Sequence, residues 1–292
     1  MRTASPRSCR PLVVLMLLAA CVFPALDREA SAEVRRERIN YEVGGNAYFG
    51  WKLWDDARPA PRPGVLLFHE FFGLESFIVE RGVALAEAGY VVFVADMYGM
   101  NVDGTNVVAD TPEEAVNLAS ALYQDRPEMG RRATAAFLRL ARQSEVDPGR
   151  IVAIGYGFGG TAALELARGG TTLDGVVVVH GSLWTPDPGR NARIKGEVLV
   201  LRGGKDPFVT DDEVVEFRAS MERSTRRVSF TNYAWAQHSF SNRRSTSWGL
   251  TGIGHDAEAA EASERAILAF MERVVDGPTR GTRIEEKNPD LP

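Results

Sequence analysis

The run Ile151-Val-Ala-Ile-Gly155-Tyr-Gly157-Phe-Gly159-Gly160 passes from an apolar stretch into a glycine-rich turn, and Thr161 to Ala167 continues as a helix-forming segment. Two chemistries use such a turn. Gly155, Gly157 and Gly160 satisfy G-x-G-x-x-G, in which glycines let the backbone approach a pyrophosphate, and an acidic residue roughly 20 positions further on holds the ribose. Here the next apolar strand, Val176 to Val179, ends in His180-Gly181, and the turn sits in mid-chain behind several earlier strands. Both facts count against dinucleotide binding. The other chemistry is the nucleophile elbow, G-x-Nuc-x-G, a sharp strand-to-helix turn whose acid and histidine partners follow in chain order. Asp206 lies in Gly203-Gly-Lys-Asp-Pro207, just after the apolar run ending at Leu201. His238 follows the β-prone stretch Val228 to Tyr233. The residue at the elbow's centre is Gly157, which has no side chain to act as nucleophile.

Each of these residues also has a plainer reading. Asp206 and His238 could be a structural hydrogen-bonded pair, although their order and their places on loops favour a site. His180 reads as a satisfied buried histidine at a strand end, and His255 as a surface or capping residue. Ser239 adjoins His238, and chain neighbours rarely aim at one another, so it is not expected to replace a nucleophile. Tyr156 reads as packing, and the five tryptophans as core or pocket walls, with Trp235 and Phe240 flanking the His238 loop. His69 and Glu70 lack a second ligand pair at metal spacing, so neither metal nor cofactor is expected.

The elements that must position these groups alternate. Residues 35–55 read as two strands, and Ala57 to Pro63 as a proline-rich turn. Val65–Phe68, Tyr90–Val94, Ile151–Ile154, Val176–Val179 and Val198–Leu201 are short apolar runs of the kind buried on both faces of a parallel sheet. Helices are expected through Val83–Ala86 to a stop at Gly89, at 112–124 and 128–143, from Thr161, at Asp211–Met221 and at Ala257–Val275. Residues 99–110 lack periodicity and read as a loop beside the site. The pattern implies one α/β domain, a mainly parallel central sheet with helices on both faces.

Taken together, His69-Glu70-Phe-Phe-Gly-Leu74, Ala95-Asp-Met-Tyr-Gly99, Gly155–Gly160, His180-Gly181, Gly204-Lys-Asp-Pro-Phe208 and His238-Ser-Phe240 resemble the dienelactone hydrolase family, from about Tyr41 to Val275. The resemblance implies the α/β-hydrolase fold, with Asp206 as the triad acid and His238 as the base. It also implies Glu70 as the carboxylate that contacts the family's nucleophile, and the N–H groups of Phe71 and Phe158 as an oxyanion hole. The family's cysteine or serine nucleophile is replaced by Gly157. The two arginines that hold a substrate carboxylate are replaced by Met100 and Asn242, with Arg243 and Arg244 near enough to compensate in part. The expectation is a domain that binds a small ester- or lactone-type ligand and is weakly active or inactive. The alternative is hydrolysis by a water that His238 and Asp206 activate.

Bulk properties agree with an ordinary globular chain: 292 residues, 45% hydrophobic, 25% charged, formal charge −5. That balance offers no basic face for nucleic acid. Arg2, Arg7 and Arg10 followed by the apolar run Leu12–Ala20 read as an export signal over residues 1–32. Two processing sites compete. Leu18-Ala-Ala-Cys21 resembles a lipoprotein box, which would attach the chain to a membrane through a lipid on Cys21 and leave it periplasmic. Ala30-Ser-Ala32 resembles an ordinary cleavage site. Cys9 and Cys21 both precede the domain at 33–276, which therefore has no cysteine for a disulfide, a thiolate metal site or a nucleophile. Residues 277–292 read as a polar, disordered tail.

Overall fold

The computed structural model describes Met1 and residues 33–222 and 227–276. The targeting segment with Cys21 and the tail after Asp276 lie outside the described residues. Chain order runs β1 (Val34–Val43), β2 (Asn46–Asp55), β3 (Arg62–Phe68), α1 (Ser76–Glu87), β4 (Val91–Ala95), α2 (Pro112–Gln124), α3 (Arg126–Ala141), β5 (Val146–Tyr156), α4 (Phe158–Arg168), β6 (Gly175–Val179), β7 (Glu197–Gly203), α5 (Asp211–Met221), β8 (Val228–Tyr233) and α6 (Ala257–Met271). The strands form one sheet in the order β1-β2-β4-β3-β5-β6-β7-β8. Pairing is antiparallel for β1 with β2 and β2 with β4, and parallel from β4 onward.

Successive side chains of a strand point to opposite faces, and here each face meets its own helical layer. Leu66, Phe68, Phe93, Ala153, Val176, Val178 and Val200 pack with residues of α2 to α5, among them Leu122, Met129, Leu140, Ala163 and Phe217. Val65, Leu67, Val92, Val94, Ile154, Val177 and Leu201 pack with Phe77, Ile78 and Leu85 of α1 and with Ile267, Phe270 and Met271 of α6. The uninterrupted valine, isoleucine and leucine runs of β3 to β7 follow from burial on both faces.

Helix starts are set by side-chain caps that satisfy otherwise orphaned N–H groups. Thr111, Asp125, Thr210 and Asp256 each accept from the N–H three residues on, at 2.9–3.2 Å. Several boundaries differ from the periodic reading. The helix expected at 128 begins at Arg126, because Asp125 caps it and Pro127 is tolerated in a first turn. The strand expected at Val65 begins at Arg62 and takes in Pro63, with a register shift between Pro63 and Gly64. β5 extends from Val146 to Tyr156 rather than from 151 to 154. The last helix ends at Met271, and a π-turn covers Glu272–Asp276. His255 does not cap α6; that role falls to Asp256, while His255 Nδ1 pairs with the carbonyl of Phe240 at 2.8 Å.

The helix expected from Thr161 begins at Phe158, directly after the elbow. Three of the elbow's glycines are sterically required. A Cβ on Gly155 would overlap the carbonyl of Gly159. A Cβ on Gly159 would strike the carbonyl of Phe68 and lie 2.6 Å from that of His69. A Cβ on Gly160 would come within 2.9 Å of Val178. Gly157 differs. Its φ of 51° and ψ of −116° are unfavourable for a side-chain-bearing residue, yet the space its Cβ would enter is open to 3.6 Å. Gly159→Ala is therefore expected to cost on the order of 3–5 kcal/mol or prevent folding. Gly157→Ala is expected to cost about 1–3 kcal/mol of backbone strain. Thermal or urea unfolding of the two variants checks this ranking, and equal losses would contradict it.

Candidate active site

The site lies at the carboxyl ends of β3, β5, β6 and β7, where open parallel sheets present their loops. Gly157 is the residue between β5 and α4. Its N–H donates to the carbonyl of Val179 at 2.9 Å and to Nδ1 of His180 at 3.1 Å. A Cβ built on Gly157 would lie 3.6 Å from Nε2 of His238, 3.7 Å from Nδ1 of His180 and 3.8 Å from Cγ of Glu70. The empty side-chain position therefore faces the histidine and the carboxylate that the sequence singles out.

His238 and Asp206 come together as expected. Nδ1 of His238 is 2.8 Å from Oδ2 of Asp206, while Oδ1 of Asp206 accepts from the N–H groups of Phe208 at 2.8 Å and Val209 at 3.3 Å. With Nδ1 of His238 held by the Asp206 carboxylate, Nε2 is the ring nitrogen turned toward Gly157. The His238 backbone is held by bonds to Gly252 and from Gly254, at 3.0 and 3.1 Å.

Glu70 is buried and accepts from Oγ of Ser239 at 2.7 Å and from Nδ2 of Asn242 at 2.6 Å. Burial raises its pKa to about 7, against the lowering effect of those two donors and of His238. Ser239, at a φ of 54°, is thus a prop for Glu70. Asn242 is a second prop and not a ligand-facing replacement for an arginine. Arg243 and Arg244 do not compensate: they line a separate recess with Arg81 and Glu264, and Arg244 pairs with Glu75 at 3.3 Å. Met100 sits by the sheet edge, 3.2 Å from the Arg38 guanidinium.

His180 is the residue whose place sequence reasoning understated. It is a buried, satisfied histidine, but it also borders the vacant position. Because Nδ1 accepts from Gly157, Nε2 carries the proton and donates to Oγ of Ser241 at 2.7 Å. Burial and the neighbouring His238 hold its pKa well below the usual histidine range. Its φ of 41° is rare for a side-chain-bearing residue, and such geometry clusters at functional sites. The His-Gly pair after an apolar strand was the available signal.

Phe158 is the first residue of α4, so its N–H has no acceptor within the helix and points from the helix N-terminus. Phe71 follows Glu70, and its carbonyl accepts from the Tyr98 hydroxyl at 2.8 Å. His69 ties this turn to the β4 end. Its Nδ1 pairs with the carbonyl of Glu70 at 2.6 Å and its Nε2 accepts from Met97 N–H at 3.0 Å, and burial lowers its pKa to about 4. Asp96 receives the N–H groups of Tyr98 and Gly99, both at 2.9 Å. The loop at 99–110 braces the Phe71–Phe72 turn from outside, through Gly73 paired with Val108, and α2 forms the nearer wall.

A cleft of about 470 Å³ opens over His238, walled by Phe71, Tyr123, Phe158, Phe208, Leu250 and Ile253. No lysine or arginine is among the described residues that line it. Trp235 is 76% exposed and lies against Lys205, and Phe240 is wholly buried in the core, so neither shapes the cleft as expected. The ring of Phe208, 5.1 Å from that of His238, takes that part.

A doubly covered, mainly parallel sheet with an acid–histidine pair facing a strand-to-helix elbow defines an α/β-hydrolase-fold protein. The model of the dienelactone hydrolase family matches residues 52–275, and the chain belongs to that family. Among curated relatives, a putative carboxymethylenebutenolidase of Aquifex aeolicus is 26% identical over 71% of this chain and 87% of its own. Among solved structures, one named m3DLH is 33% identical at a TM-score of 0.78, covering 83% of this chain and 99% of that one. A dienelactone hydrolase-like promiscuous phosphotriesterase from metagenomic libraries is 32% identical at a TM-score of 0.76, covering 82% and 98%.

The raised pKa of Glu70 carries a stability consequence. Between the ordinary value of 4.5 and about 7 the folded state binds more protons than the unfolded one, so Glu70 costs stability as pH rises through that window. The effect is on the order of 3 kcal/mol. Glutamine does not titrate, so the stability difference between Glu70→Gln and the native chain isolates it. Urea unfolding at pH 5 and pH 8 should show that difference moving toward the variant at the higher pH; no movement would contradict the account.

Proposed function

We propose that this chain binds a small ester- or lactone-type ligand in the cleft over His238 and hydrolyses it slowly, with water in place of a side-chain nucleophile. The observation that carries the reading is the open side-chain position at Gly157, 3.6 Å from Nε2 of His238. A covalent acyl intermediate needs a side-chain nucleophile, which glycine does not supply. A water in that space would be within reach of the base, and the N–H groups of Phe71 and Phe158 would serve the developing oxyanion. Site residues and binding alone sustain acceleration of roughly 10³–10⁴-fold over water when one member of a triad is missing. The apolar walls favour a ligand with an apolar body next to the reacting carbonyl.

The test is hydrolysis of activated esters, lactones and phosphotriesters, with His238→Ala and Gly157→Ser beside the native chain. Slow turnover that His238→Ala abolishes and Gly157→Ser raises by roughly 10²-fold or more supports the reading. Identical background from the native chain and His238→Ala would sink the hydrolytic part and leave a binding role.

We also propose that the domain acts outside the cytoplasm, a reading supported by Arg2, Arg7 and Arg10, the apolar run to Ala20 and the Leu18–Cys21 box. Mass spectrometry of the mature N-terminus should find a lipid on Cys21. An unmodified start at Glu33 would instead indicate ordinary cleavage.

A further inference from the structure

Beside the cleft, and sharing Ser120 and Tyr123 with it, lies a second recess of about 470 Å³ at the junction of α2 and α3. Arg126 lines it together with Trp184 and Pro186. The arginine is 5% exposed, and its described hydrogen bond runs from Nε to the carbonyl of Tyr123 at 3.1 Å. Its Nη1 is buried without a partner. The guanidinium carbon lies 4.9 Å from the centre of the Tyr123 ring and 5.7 Å from that of Trp184. Aromatic faces attract a cation but leave its N–H donors unused.

The surrounding charges do not neutralise Arg126. Glu165 is bonded to Arg168 at 2.9 Å and to Arg190 at 2.8 Å. Glu213 accepts from Ser182, Leu183 and Trp184, which fixes the loop that carries the Trp184 ring. Three arginines against two glutamates leave one positive charge in this region. Burial lowers the pKa of Arg126 and both glutamates raise it, so the residue stands as a desolvated cation short of an acceptor.

We propose that Arg126, framed by Tyr123 and Trp184, is an anion subsite that binds a carboxylate at the far end of a ligand lying in the His238 cleft. A single charge is matched, and Glu165 and Glu213 would repel a dianion such as a phosphate monoester. The inference rests on the proposed binding of an ester- or lactone-type ligand over His238 and adds its class: an apolar body with one distal carboxylate. A carboxylate beside the reacting carbonyl is not what this geometry serves, since the described wall around His238 holds no cation.

The test is calorimetric titration of the full chain with 4-phenylbutyrate and its neutral analogue 4-phenylbutyramide. The acid should bind about tenfold tighter, as a charge-assisted bond to a buried guanidinium implies, and the preference should shrink at high salt. Arg126→Gln should abolish the preference, and Trp184→Ala, at a half-exposed position, should weaken it. Equal binding of acid and amide by the native chain, or binding of neither, overturns the proposal whether or not Arg126→Gln folds. Tighter binding of phenyl phosphate than of the acid overturns the assignment to a carboxylate. Hydrolysis of p-nitrophenyl acetate, which carries no carboxylate for Arg126, reports the His238 site separately. Its dependence on His238 can survive failure of the subsite, and its absence would count against the hydrolytic reading alone.

Discussion

Gly155, Gly159 and Phe68 meet backbone to backbone at the elbow, and the site depends on that contact. A side chain at Gly155 or Gly159 would force α4 away from β5 and from the end of β3. Because Gly159 rests on the carbonyls of Phe68 and His69, the next residues of that loop, Glu70 and Phe71, arrive beside Gly157. One close approach thus sets the strained turn, aims the N-terminus of α4 and brings the β3 loop to it. Only then can Asp206 and His238, delivered from β7 and from the loop after β8, face a common point.

Around that point the buried polar groups satisfy one another. Ser239 and Asn242 donate to Glu70, and His180 links Gly157 to Ser241. None of these bonds requires a side chain at Gly157. The cage is therefore stable as built, and its retention is explained by the cost of leaving buried polar groups unpaired, independently of turnover. Glycine at a φ of 51° and a ψ of −116° also removes about 1–3 kcal/mol of strain that another residue would store there. Among the described residues Nε2 of His238 has no hydrogen-bond partner, which is why the proposed chemistry turns on that atom.

The fold was legible because both faces of the sheet are buried. Runs such as Val91–Ala95 and Val176–Val179 have no polar alternation, and turn residues bracket them. Boundaries were less legible where a cap or a steric contact decides them. Asp125 starts α3 at Arg126, and the elbow starts α4 at Phe158, three residues before the helix-forming run suggests. At the site, the order of elbow, Asp206 and His238 located the pair, and the motif around Glu70 located the carboxylate. The roles of Asn242, Arg243 and Arg244 were not legible. His238 lines the cleft while Ser241 to Arg244 border a separate recess, and no spacing rule resolves that change in an irregular loop. His180 was under-read because its importance comes from a bond to a backbone N–H, which composition does not record.

The distinction between a binding domain and a slow hydrolase in this fold reduces to the occupancy and orientation of one small volume. Nε2 of His238 faces it from a ring whose other nitrogen is held by Asp206, and in the proposed reading the N–H groups of Phe71 and Phe158 would receive the carbonyl oxygen as it gains charge. A tethered hydroxyl or thiol would fill the volume permanently and at fixed orientation, which is the source of the high effective concentrations of intramolecular attack. On the proposed route a water would instead have to be ordered there at each turnover, with no covalent link to replace that ordering. The apolar walls around it strengthen each electrostatic interaction inside the cleft, but they act on water and substrate alike. On the proposed water-based route, rate would be limited by positioning of the attacking oxygen, and a ligand held at a distance from that volume would bind well without being driven to react.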